Sequence, residues 1–76
     1  LEKDLFLKTQ YITLGQFLKI AGIIDSGGRA KWFLQENKVL VNDELEARRG
    51  RKLRAGDKVV VPDAGTFLMR SKQQEK

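Results

Sequence analysis

The chain of 76 residues predicts an α+β domain: a helical hairpin packed on a small antiparallel β-sheet. Three observations carry this expectation. Apolar residues between 14 and 21 recur at helical spacing, and those between 39 and 47 alternate as in a half-buried strand. Turn residues punctuate the rest at Gly22, Asn42-Asp43, Ala55-Gly56-Asp57 and Asp63-Ala64-Gly65.

Each element follows in order. Residues 5–12 (LFLKTQYI) mix apolar and polar positions, which suits a strand or an extended arm, and are read as a strand. Thr13 opens a helix, and Thr13-x-x-Gln16 fits a capping box, in which hydroxyl and amide each satisfy a free backbone N–H. Leu14, Phe17, Leu18 and Ala21 form its apolar stripe, and Gly22 stops it. A second helix starts near Asp25 or Ser26, both good N-caps. Ala30, Phe33 and Leu34 make its inner face, and Asn37 suits a left-handed C-terminal position. Trp32 then lies on the opposite side, where two readings stand: a ring that stacks on a base or a partner, and, favoured in so small a domain, a second packing layer covered by Phe6 or Tyr11. Val39 and Val41, then Leu45 and Ala47, point inward from a hairpin that turns at Asn42-Asp43. Val59–Val61 is a buried strand ended by Pro62. Thr66–Met69 is the last strand, and Arg70–Lys76 is a polar, frayed tail.

A chain of this length holds one domain, residues 1–76. It has no Cys and no His, which excludes disulfides, Cys/His zinc sites, a Cys nucleophile and a His base. Residues 1–12 lack the apolar block of a signal peptide, and no run approaches a membrane span. These features predict a cytoplasmic protein with no membrane partner. The first residue is not Met, which points to a trimmed or partial start.

Charge is the most informative quantity. Lys and Arg number 15 and Asp and Glu 10, a net charge of +5. Ala47–Lys58 holds six basic residues and one acidic one, so this segment carries the whole excess while the rest sums to zero. A concentrated patch of this kind points to a polyanion. Arg48, Arg49, Arg51, Lys52 and Arg54 crowd around Gly50, and the guanidinium fork suits phosphate. Set against this is the reading of a solvated turn with incidental charge. Ser26-Gly27-Gly28-Arg29 is the second candidate: free N–H groups at a helix start, unshielded by side chains, accept an anion, and Arg29 and Lys31 add charge nearby. The plainer alternative is a cap followed by a tight turn. The spacing matches no nucleotide-binding loop. Asp43, Glu44 and Glu46 read as a solvated acidic hairpin rather than as acid–base or metal-binding carboxylates. Thr9, Thr13 and Ser26 have no base at recognisable spacing. No catalytic residue, metal ligand, cofactor or small-molecule substrate is expected.

The run from Ile12 to Val61, with its capped helix, Ser-x-x-x-Ala helix, V-L-V-N and A-G-D-K-V elements, resembles the S4-like RNA-binding domain, whose helical hairpin is the alpha-L motif. With ITLGQFLK, SGG-x-AKWFL and ARRGRKL it looks, more narrowly, like the small stand-alone bacterial members linked to ribosome assembly. The resemblance implies a non-catalytic protein that binds structured RNA, in this family mostly ribosomal or transfer RNA, and here ribosomal RNA or ribosomal particles foremost, in assembly of the large subunit. Many members open the first helix with Arg-Leu-Asp and the second with Ser-Arg. Here Thr13-Leu14-Gly15 and Ser26-Gly27 stand instead, so Lys19, Arg29 and Lys31 compensate and the weight shifts to Arg48–Arg54. Two rivals stay open: a DNA-binding helix-turn-helix, and a protein-interaction module of a translation complex anchored by Trp32.

Overall fold

The computed structural model describes residues 2–71. The fold is α+β: two short helices, a mixed five-stranded sheet and a two-stranded ribbon. The stretch expected as one strand is two, in different sheets. β1 (Glu2–Leu7) and β2 (Tyr11–Thr13) are separated by a polar bend at Lys8-Thr9-Gln10, where the Thr9 hydroxyl donates to the Tyr11 carbonyl at 2.8 Å. β3 (Leu40–Val41), β4 (Glu44–Leu45), β6 (Lys58–Val61) and β7 (Gly65–Ser71) join β1 in the order β1-β7-β6-β3-β4. β5 (Lys52–Arg54) pairs antiparallel with β2 as a separate ribbon. The large sheet is not purely antiparallel, because β1 runs parallel to β7.

α1 (Leu14–Ile20) starts with the expected capping box: the Gln16 N–H donates to Thr13 Oγ1 at 3.2 Å, and the Thr13 N–H donates to Gln16 Oε1 at 2.9 Å. It ends before Gly22, whose φ of +78° reverses the chain in a region that side chains disfavour. The second helix starts later than expected. Gly27–Arg29 is a 3₁₀ turn, Ser26 makes no side-chain cap, and α2 proper is Ala30–Glu36. Two consecutive glycines are poor helix formers, and the tighter turn spans them. Asn37 is extended (φ −128°, ψ 142°) rather than left-handed; its amide donates to the Phe33 carbonyl at 3.0 Å and the chain runs straight on toward β3.

Leu14, Phe17, Leu18, Ala30 and Leu34 pack from the helices against Val39, Val41, Leu53, Val59, Val61, Phe67 and Met69. Phe17 and Phe67 meet edge to face, with centroids 5.1 Å apart. The hairpin turns at Asn42 (φ 53°) and Asp43 (φ 71°), as expected. Its inward set, however, is not Leu45 and Ala47. A two-residue turn pairs Val41 with Glu44 and Leu40 with Leu45, so the face of Val39 and Val41 continues through Glu44 to Glu46. Leu45 is therefore exposed and Glu46 buried. Arg70 and Ser71 belong to β7 rather than to a tail, and residues 72–76 lie outside the described ones. Among the described residues no helix is long and apolar enough to cross a membrane.

Candidate nucleic-acid interface

The basic segment is fixed to α1 through its backbone. The Leu14 N–H donates to the Arg51 carbonyl at 2.8 Å and the Gly15 N–H to the Arg49 carbonyl at 2.9 Å. The free N–H groups that open α1 are thus satisfied by the loop itself. The two backbones run close together here: a Cβ at Gly15 would just touch the Cβ and the carbonyl oxygen of Arg49, each at 3.4 Å.

The five cations around Gly50 are not all unpaired. Glu46, expected on a solvated hairpin, turns beneath it with only 8% of its side chain accessible. Arg48 grips it with Nε at 2.9 Å and Nη2 at 3.1 Å, and also donates its backbone N–H at 3.1 Å. Arg51 donates from Nη1 at 3.0 Å. These bonds, those of the Arg48 side chain foremost, lower the Glu46 carboxyl from 4.5 to about 2 against the opposing effect of burial. The same carboxylate raises the Arg48 guanidinium further above its usual value. The signal for this was in the sequence as Glu46-x-Arg48 and Arg51, but the hairpin register that buries Glu46 was not.

Lys58 pairs with Asp43 at 3.1 Å, and the other cations of the track are free or loosely held. Lys19 and Arg49 make no ion pair or side-chain hydrogen bond among the described residues, and they line one cleft with Thr13, Gly15, Gln16, Gly27 and Gly50. An adjoining groove shares Gly50 and runs along Arg48, Arg51, Lys52 and Arg54. Lys52 and Arg54 lie over the Tyr11 ring, at 5.0 and 5.5 Å from its centroid. Sequence reasoning missed Tyr11 here, because its position depends on the pairing of β2 with β5.

The other predicted positions separate. Gly27 belongs to the Lys19–Arg49 cleft, whereas Gly28 opens into a second groove with Asp25, Arg29, Trp32 and Phe33. Ser26 is exposed beside them. Arg29 faces Asp25 at 3.5 Å, and Lys31 is exposed without lining either basic cleft. Trp32 is not covered by Phe6 or Tyr11. It is 62% exposed and Phe6 is 55% exposed, while Tyr11 is engaged by Lys52 and Arg54. Among the described residues no group of His, Cys, Asp or Glu gathers as a metal site.

Comparison with known proteins gives the chain its family. The S4 domain model matches residues 5–68, which extends past Ile12–Val61 at both ends. The chain belongs to the S4 domain family. The protein is an S4 RNA-binding domain. It is also 61% identical over 61 residues to the probable ribosome maturation protein RlbA of Bacillus subtilis (strain 168), covering 80% of this chain and 86% of that relative.

Proposed function

We propose that this S4 domain binds structured ribosomal RNA across the cleft between α1 and the 48–51 loop and along β5, and serves ribosome maturation in the cytoplasm as a binder, without catalysis. The observation that carries this reading is the division of labour among cations. Glu46 holds Arg48 and Arg51, which fixes the loop, while Lys19, Arg49, Lys52 and Arg54 make no ion pair among the described residues. Phosphate contacts from these four supply most of the affinity, and the shape of the cleft supplies selectivity for folded RNA. The likeness to a probable ribosome maturation protein supports ribosomal RNA as the target, and the resemblance read from the sequence makes the large subunit the particle to test first.

The test titrates the protein against ribosomal RNA fragments and against duplex DNA at matched salt. Lys19→Glu with Arg49→Glu weakens RNA binding more than tenfold, by about 1.4 kcal/mol or more. The unfolding temperature stays unchanged, because exposed charges contribute little to stability. Equal affinity for duplex DNA, or unchanged RNA affinity in the double variant, overturns the reading.

A further inference from the structure

The outer face of the β2–β5 ribbon is chemically distinct from the rest of the basic segment. Along β5, Leu53 is fully buried, so Lys52 and Arg54 point outward. Along β2, Tyr11 sits directly opposite Arg54 and Thr13 opposite Lys52. Tyr11, Thr13, Lys52 and Arg54 therefore share one face. That face continues the groove lined by Arg48, Gly50 and Arg51, and through Thr13 it reaches the cleft of Lys19 and Arg49. A basic track thus ends at an aromatic ring. Tyr11 is 39% exposed, with cations at 5.0 and 5.5 Å from its ring centroid.

We propose that Tyr11 is a stacking platform for one unpaired RNA base, with Lys52 and Arg54 receiving the phosphates that flank that nucleotide. The proposal rests on the RNA-binding reading above and adds a nucleotide class to it. Three features carry it. Aromatic rings stack on any base, so such a contact needs no hydrogen-bond code. Cations held over an exposed ring are only weakly retained, so an incoming base takes the place of one over the ring face. The displaced ammonium or guanidinium stays within reach and meets phosphate instead of the ring. Base faces inside an A-form duplex are covered by their neighbours, so the platform serves a loop, bulge or strand end. Phosphate contacts at Lys19 and Arg49 do not distinguish paired from unpaired RNA; Tyr11 does.

The test uses two probes, a short oligouridylate and a fully paired RNA duplex, titrated at several salt concentrations against the whole chain and its variants. Tyr11→Leu is expected to weaken oligouridylate binding at least about fivefold and leave duplex binding and the salt slope unchanged. Tyr11→Phe keeps the ring and stays within about twofold of the parent. Thermal unfolding is measured on each protein, and Tyr11→Val, a strong strand former, replaces Tyr11→Leu if the latter melts earlier. Unchanged binding of both probes, or an equal loss on both, overturns the proposal while the RNA-binding reading stands. A parent protein that binds neither probe nor ribosomal RNA overturns that reading, and this proposal with it.

Discussion

Glycines 27 and 28 are not required by the backbone. Positive φ is confined to Gly22, Gly56 and Gly65 among the glycines, and a Cβ at 27 or 28 would meet nothing within 4 Å. Glycine in a helical turn is destabilising by roughly 0.5–1 kcal/mol relative to alanine. Gly28→Ala is therefore expected to melt at the same temperature or higher, which thermal unfolding checks. A stability cost with no conformational return points to a need for open surface. The two positions open to different sides, and that separates their roles. Gly27→Glu sets a carboxylate in the cleft of Lys19 and Arg49 and is expected to weaken RNA binding about tenfold or more, with no loss of stability. Gly28→Glu makes the same charge change facing Trp32 and is expected to cost clearly less. Equal losses in RNA titrations of the two would show that net charge, and not the cleft, is responsible.

Between elements, two polar locks set the position of the basic segment. Asn42, at the hairpin turn, donates to Asp57 Oδ1 at 3.0 Å and accepts the Lys58 N–H at 3.0 Å. Asp57 in turn accepts the Arg54 N–H at 2.8 Å. The V-L-V-N and A-G-D-K-V elements are thus two halves of one contact that holds the end of β5. Asn42→Ala is expected to cost about 1–2 kcal/mol in denaturant unfolding, since it leaves Asp57 and the Lys58 N–H short of a partner. Glu46 is the second lock. Its carboxyl is lowered on folding from 4.5 to about 2, so its contribution is complete above pH 4.5 and is lost as pH falls toward 2. Glu46→Gln should flatten the acid side of the stability curve across that window, as read by unfolding at stepped pH. Local chemistry made much of this scale legible: the capping box, the Asn42-Asp43 turn and the helical stripes follow from residues within a few positions of one another. The parallel pairing of β1 with β7 joins opposite ends of the described chain and leaves no periodic signal. The burial of Glu46 depends on a register that a count along one strand does not carry through a turn.

Across the whole molecule, a chain of net charge +5 keeps its excess in one segment, and folding sorts that segment into structural and free cations. The sequence showed where the patch lies and that phosphate suits it. It did not show the sorting, which depends on Glu46 rising beneath Arg48 and Arg51, nor the nearness of Lys19, Gly27 and Tyr11, which three separate elements bring to the same track. The sorting makes two neighbouring arginines behave oppositely. Arg49 has no side-chain partner among the described residues, so Arg49→Gln should leave the unfolding temperature in place. It should lower RNA affinity and flatten the plot of log affinity against log salt by about 0.7–0.9, the loss of one phosphate contact. Arg51 is bound to the buried carboxylate at 3.0 Å with 28% of its side chain accessible. Arg51→Gln should reduce stability by about 1 kcal/mol, because Glu46 keeps only Arg48 as its partner. Its salt slope should stay near the parent's, since a guanidinium already neutralised by Glu46 releases few counterions from RNA. Salt titrations and thermal unfolding on the two variants side by side decide the matter. Two equal slopes with equal stabilities would mean that Glu46 does not divide the patch, and that all five cations act as one diffuse field.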